Sequence, residues 1–550
     1  MKRIALLGAL APIFIFFVSG IAAAADEMVY RARPGDTLIG IGDRLLARPA
    51  DWPKLVRPNR VSDPNRIQPG REIRIPLELL RSSSASAMVV HATGDVRRGA
   101  GKLEKGAELP EGSSLATGKD GYATLRLADG SLLNLQSGSE MKLERMRTYP
   151  GTEFVRSEVR LDAGRVEANA RARAPGASRF EVRTRLATAA VRGTDFRVNA
   201  GIDGKTTAAE VLTGTVALGG GAQADANAVM LAAGFGSVVD ENRVPRPAAQ
   251  LLSAPDLSGL ATLQERVVVR LRFAETAGAS AYRIQVADDA EFRSVLREEV
   301  LRAPDVRITG LADGEYHFRA RALAPSGLEG RDASSAFRIK ARPEPPFASS
   351  PAPRGKVRAD EVVLEWTANP DAASYRLQIA ADEAFRNPVR NEPAVRDTRY
   401  RLSGVKFGSY FWRIASTKGT NDNGPWGDVQ SFSFLPPPAN PEPPSETADS
   451  FVFRWPGEPG QRFLLQIAPD ETFARPTRSI ETSEPAATIA RPQPGIYFLR
   501  VRATDPDGFV GPFTRAQRFE VKRIDPPQPM LRDGAGSAVT TSDGRPLLLQ

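Results

Sequence analysis

One short motif occurs three times in the second half of this 550-residue chain. Residues 282–292 read YRIQVADDAEF, residues 375–385 YRLQIAADEAF and residues 463–473 FLLQIAPDETF. Each copy follows an alternating stretch that carries a large aromatic residue, Phe273, Trp366 or Trp455. Each is followed by a Gly-x-Tyr run with strand alternation, centred on Tyr316, Tyr410 or Tyr497. A period of about 90 residues, with runs of period two and Pro/Gly-rich breaks, predicts three tandem all-β units, each with its own core. Within each unit the motif aromatics are expected in the core. Arg319 and Arg321, on the alternate positions, are expected on the solvent face. Trp426, in the longest late loop, either packs beneath that loop or meets a partner.

These units resemble fibronectin type III domains over almost their full length, at 262–342, 344–435 and 440–522. The resemblance implies a seven-strand sandwich and puts the three tyrosines at a tyrosine corner. Their loops contain no integrin-type RGD sequence. Pro-rich joints at 343–346 and 436–444 are expected to be stiff. The Pro/Gly/Ser-rich stretch 523–550 reads as a loosely ordered tail.

Residues 91–245 are a second β region. Residues 122–128 and 131–136 alternate on either side of Asp129-Gly130, a strong hairpin signal because such turns need positive φ. Leu125, Leu127, Leu133 and Leu135 would share the buried face, and Leu143, Val155, Val159, Leu161, Val166, Phe180 and Val182 continue the pattern. It arrives at a Gly corner, Val191-Arg192-Gly193-Thr194-Asp195-Phe196, followed by EVLTGTVAL at 210–218. The corner and the strand after it closely resemble the FecR domain, a periplasmic all-β module known from signalling across the Gram-negative envelope. The alternation suits a sandwich or a stack of sheets, and the resemblance favours the stack. Signalling FecR members usually carry a cytoplasmic tail for a sigma factor and then one membrane span. Here only a leader-like stretch and one small unit precede the domain, so a signalling role would pass through another membrane protein.

That small unit is 28–77. VYRAR at 29–33 reads as a strand, PGD at 34–36 turns the chain, and Asp36 or Thr37 can cap a helix over 38–46. A second short helix at 52–56, a loop at 59–70 and a closing strand EIRIP at 72–76 complete a βααβ order. PGDTL, DWPKL, PNR, DPNRIQPG and IRIP, in that order, closely resemble a LysM domain. The resemblance implies a shallow groove for N-acetylglucosamine polymers between the two loops, at Gly35, Asp36, Thr37, Leu38, Asn59 and Ile67. Ile39 stands where many LysM members carry an aromatic residue. The Ser/Ala stretch within 78–90 reads as a flexible linker.

Residues 1–25 have a basic start, an apolar run and an Ala-rich end, the form of a cleavable secretory signal, and no later apolar run is long enough to span a bilayer. The expected location is therefore the periplasm. The chain has no Cys and only two His, His91 and His317, which excludes thiolate chemistry and nearly excludes His-based triads and His-rich metal sites. The formal charge of +9 falls to +7 once Lys2 and Arg3 leave with the leader, and no basic run interleaved with aromatics marks a nucleic-acid surface. The fold class expected is mainly β and multidomain: a small α+β LysM unit, a FecR-like β domain and three fibronectin III-like sandwiches. The function expected is a non-enzymatic, peptidoglycan-bound scaffold without cofactor or metal, whose FecR-like domain meets an envelope or signalling protein. A ligand sensor coupled to a neighbouring membrane kinase or cyclase is the alternative. A carboxylate-based wall hydrolase is a third reading.

Overall fold

A computed structural model describes residues 27–171, 178–191, 193–201, 203–221, 228–524 and 530–547. The leader-like stretch 1–25 and Arg192 lie outside the described residues. The chain is mainly β, with a small α/β region at its start, and forms two compact units, Met1–Lys340 and Ala341–Gln550. Each is described by itself.

The first unit opens with strand Glu27–Arg31, paired antiparallel with Glu72–Pro76. Helix Leu38–Leu45 lies between them in sequence, and its N-cap is Thr37, whose Oγ1 accepts from the Gly40 amide at 3.0 Å. The second helix is a 3₁₀ segment, Pro49–Leu55. Pro53 has no amide hydrogen to offer an α-helical ladder, which accounts for the tighter, shorter form. Leu38, Ile41, Leu45, Leu55, Ile73 and Ile75 form the core, and Tyr149 and Phe154 of the following β domain complete it. Residues 78–90 are consequently no free linker. The amide of Arg81 donates to the Leu45 carbonyl (2.8 Å), Ser83–Ser84 pairs with Arg147 and Thr148, and Ser86–Thr93 pairs with Glu108–Pro110 and Tyr122–Arg126.

The β domain is built around one long strand, Val155–Asn169. Its first half pairs with Glu140–Thr148 and, in parallel, with Ser178–Arg183. Its second half pairs with Leu132–Leu135 and Asp195–Ala200. Gly164, at φ +83°, marks the changeover, and a Cβ there would come within 2.2 Å of the Ser139 Oγ. Any side chain is therefore excluded at this position. The two resulting sheets wrap one core containing Leu125, Leu127, Leu133, Leu135, Leu143, Val159, Leu161, Val166, Phe180 and Val182. The arrangement closes around a single core, in place of the stack of sheets that the FecR resemblance favoured. The Asp129-Gly130 hairpin forms, with Leu133 opposite Leu125 and Gly130 at φ +85°.

The first repeat, in the same unit, has a five-stranded sheet (Leu263–Gln264, Glu329–Ile339, Gly314–Leu323, Ala281–Ala287, Val295–Leu301) facing the pair Val269–Arg272 and Asp305–Ile308. In the second unit the other two repeats likewise split into a three-stranded and a larger sheet. The aromatics occupy equivalent places. Phe273, Trp366 and Trp455 meet Tyr282, Tyr375 and Phe463 edge-on at 5.3, 5.6 and 5.7 Å. The Tyr316, Tyr410 and Tyr497 hydroxyls each donate to the carbonyl four residues back, those of Ala312 (3.1 Å), Lys406 (2.6 Å) and Gln493 (3.1 Å).

The recurring Gln and Phe of the motif have a shared partner. Arg319, Arg413 and Arg500 lie over Phe292, Phe385 and Phe473 at 4.4, 4.3 and 4.2 Å, and donate to the side-chain oxygens of Gln285, Gln378 and Gln466. These arginines are clamps, not free solvent-face residues, because a guanidinium gains from an aromatic face and a fixed acceptor together. In the second repeat Trp426 takes the outer side of the clamp, 4.6 Å from both Arg376 and Arg413. Phe513 does the same in the third, over Arg500 and Arg502. The tail also has order. Among its described residues Leu531, Val539 and Leu547 close a ring of three 2.8 Å backbone bonds, each amide donating to the carbonyl of another.

Candidate functional site

The two loops expected to form the glycan groove are brought together by backbone. The Leu38 amide donates to the Pro64 carbonyl at 2.8 Å, and the Ile67 amide to the Asp36 carbonyl at 3.4 Å. The side chains named from sequence mostly build this junction. Leu38 and Ile67 are in the core. Asp36 is 5% exposed. It accepts from the Arg33 amide (2.7 Å), the Tyr30 hydroxyl (2.7 Å) and the Arg44 guanidinium (2.6 Å). Burial alone would raise its carboxyl, but the Arg33 amide, Arg44 and Tyr30 outweigh that and hold it below the usual carboxylate range. Thr37 caps the helix. Asn59 donates to the Leu55 and Arg74 carbonyls (2.9 and 2.8 Å) and accepts from the Arg74 amide (2.6 Å), fastening the closing strand. Gly35, at φ +84°, is exposed with open space around it. What the loops offer a ligand is thus backbone, Gly35, the 40% exposed Ile39, and exposed side chains that include Arg33, Asp63, Asn65, Arg66 and Gln68.

The corner at Val191–Phe196 is also internally committed. Val191 ends a strand, Thr194 is buried, and its carbonyl accepts from the Ala170 amide at 2.9 Å. Asp195 takes the Asn169 amide group on one carboxylate oxygen and the Thr213 hydroxyl (2.9 Å) on the other. A Cβ on Gly214 would lie 2.4 Å from the Thr194 methyl, so the small residue across the corner is needed for closure. Phe196 packs edge-on to Phe180 at 5.8 Å.

Sequence alone missed the charged joint between the β domain and the first sandwich. Arg321, buried on the sandwich, is bound by Glu167 of the β domain (2.5 Å), by Glu329 (2.9 Å) and by Asp332. Arg283 joins Glu329 (2.7 Å) and Glu298 (2.6 Å), and Glu298 also binds Arg165 and accepts from Tyr122 at 3.1 Å. Arg197 donates to the Gly330 carbonyl (2.9 Å) and Gln285 to Gln136 (3.0 Å). Apolar contacts flank the charges: Ala208, Val238, Leu251 and Leu328 on one side, Tyr122, Ala287, Phe292 and Val295 on the other. Burial would raise the Glu167 carboxyl, yet Arg319, Arg321 and Arg197 bring it down to about 2. Glu329 is likewise held below the usual range by Arg283 and Arg321 against its burial. Glu210 moves the other way, to about 7, through burial and then the charge of Glu329, whose amide donates to it at 3.1 Å. The signal for this joint was the set of extra charges on strand positions of the first repeat. Arg321, expected on the solvent face, is instead buried because the covering partner is distant in sequence.

A family model described as LysM domain matches residues 30–76, and one described as FecR protein matches residues 113–217. No curated protein matches this chain. Among solved structures, two of a protein described as an anti-sigma factor candidate from Parabacteroides distasonis are similar. They show 22% and 23% identity and TM-scores of 0.21 and 0.20 over 25% of this chain. The match spans 59% of that protein's own length. The FN1–FN3 domains of chicken CNTN1 are similar over 50% of this chain and 99% of theirs, at 16% identity and a TM-score of 0.21. No helix among the described residues is long and apolar enough to cross a membrane.

Proposed function

We propose that this chain is a non-enzymatic cell-envelope protein. Its LysM unit binds peptidoglycan, and the FecR-like domain with its docked sandwich presents a surface to a signalling or envelope partner in the periplasm. The observation that carries the reading is the LysM match over a complete βααβ unit whose two ligand loops are locked side by side. A groove built from backbone and small residues suits acetamido groups, which need donors and acceptors at fixed positions. Co-sedimentation of the secreted full chain with purified peptidoglycan tests it. Pelleting that soluble N-acetylglucosamine oligomers displace supports the reading, and a chain that stays in the supernatant overturns it.

The sensor reading is favoured by one feature. A cleft of about 710 Å³ is lined by Lys119, Arg165 and Asn199 of the β domain and by Arg283 and Glu298 of the sandwich. A ligand held there would report on docking, because both domains supply its walls. The hydrolase reading gains no such support. Glu210 and Glu329, the neighbouring carboxylates of the joint, are 1% and 2% exposed and out of reach of a polymer.

A further inference from the structure

We infer that the LysM unit selects glycan strands bearing carboxylates, the peptide-substituted strands of peptidoglycan, over uncharged N-acetylglucosamine polymer, through Arg33 and Arg66. The inference rests on the peptidoglycan reading above and concerns the same groove. Two observations lead to it. First, the acids and polar side chains expected to meet ligand are used in holding the loops, so discrimination falls to what those loops expose. Arg33 lies at the start of the Pro34–Gly35 turn, and Arg66 lies between Asn65 and Ile67 on the facing loop, both exposed. Among the described residues neither is in an ion pair with a carboxylate, whereas Arg31, Arg44 and Lys54 are paired with Glu72, Asp36 and Asp51. The nearest acid in sequence on these loops is Asp63, which takes the Asn65 amide at 2.9 Å. Asp36 is buried and already neutralised by Arg44.

Second, charge is concentrated here. Residues 30–76 hold ten Arg or Lys against five Asp or Glu, so this short unit supplies +5 of the chain's +9. Three of those five acids are in ion pairs. A neutral polymer gains nothing from such a field, while a strand with carboxylates on its stems is drawn to it and held by guanidinium–carboxylate pairs at the groove edge. Arginine suits this role because its planar fork meets a carboxylate with two donors.

The test compares the full chain with the double variant Arg33→Gln/Arg66→Gln in co-sedimentation. The probes are peptidoglycan sacculi, sacculi with carbodiimide-amidated carboxylates, and chitin, each at low and high salt. Parent protein should prefer native sacculi to chitin by roughly threefold to tenfold at low salt. The preference should shrink at high salt and on amidated sacculi. The double variant should lose the preference, binding native and amidated sacculi alike, while a circular dichroism spectrum and thermal transition matching those of the parent show that the unit is folded. A double variant that still prefers native sacculi overturns the inference and leaves glycan binding intact. Parent protein that binds no probe overturns the peptidoglycan reading, and the inference with it.

Discussion

Glu210 gives the sharpest prediction about the joint. It lies on strand Thr206–Thr213 and is 1% exposed. Arg197, Arg321 and Glu329 act on its charge, and the Glu329 amide donates to it. Its carboxyl titrates near 7 in the folded protein against 4.5 for the ordinary group. Between those values the folded state holds more protons than the unfolded state, so stability falls as pH rises from 4.5 to 7 and then levels off. Over the whole window one such group contributes a loss of roughly 3 kcal/mol. Glu167 and Glu329 have the opposite sign. Their depressed values give stability that is present above the ordinary carboxylate value and lost as pH falls from there through the lower values of the folded state. Glu210→Gln copies the protonated form and should abolish the decline between pH 4.5 and 7. At pH 8 the variant should be up to about 3 kcal/mol more stable than the parent, and near pH 4.5 the two should coincide. Hydrogen exchange of amides in Thr206–Thr213 and Glu329–Ile339, corrected for intrinsic rates, reads the joint directly. Parallel pH profiles for parent and variant would refute the assignment.

Arg321→Ala removes the cation shared by Glu167, Glu329 and Asp332, leaving Glu329 to Arg283 and Glu167 to the more distant Arg319, and should cost about 3 kcal/mol, read as a lower thermal transition of the first unit. Asp36→Ala removes three hydrogen bonds, one from a guanidinium, and should destabilise the LysM unit by about 2 to 4 kcal/mol in urea unfolding. Loss of glycan binding in that variant would therefore follow unfolding and would not identify a ligand contact. Tyr410→Phe deletes one bond to the Lys406 carbonyl and should cost about 1 kcal/mol with no change in fold, by chemical denaturation of the second unit.

Much of the fold is legible because its signals are local. A period of two, turns that need positive φ and an aromatic recurring once per repeat each report on a few neighbouring residues, and those elements stand where the sequence puts them. The second helix is found, but as a 3₁₀ segment over Pro49–Leu55 that starts three residues before the stretch 52–56 expected from the sequence. What misled is contact across long separations. The Ser/Ala stretch has linker composition, yet it is paired because Arg147 and Thr148 return to meet it. Asp36 and Asn59 have ligand-like chemistry, but the family pattern they fit is equally a pattern for holding two loops together. A sequence motif does not separate a residue that touches ligand from one that shapes the place where ligand sits.

The repeats make the same point about surfaces. On one sheet face each repeat presents an arginine clamped between a glutamine and a phenylalanine, and the outer side of that clamp needs a cover. The second repeat supplies Trp426 and the third Phe513 from their own late segments. In the first repeat the neighbouring arginines Arg283 and Arg321, on that face, are met by carboxylates, and Glu167 is contributed by the β domain. An aromatic cover makes a self-contained sandwich, whereas a charged one requires a partner whose acids lie in register. The first sandwich is thus specified as a docked element of the FecR-like domain, and its ion pairs, being desolvated, set the register of that docking more than its strength. A partner that engages the FecR-like domain therefore meets a two-domain body, and substitutions on the sandwich side of the joint should reach that partner through the geometry of the β domain.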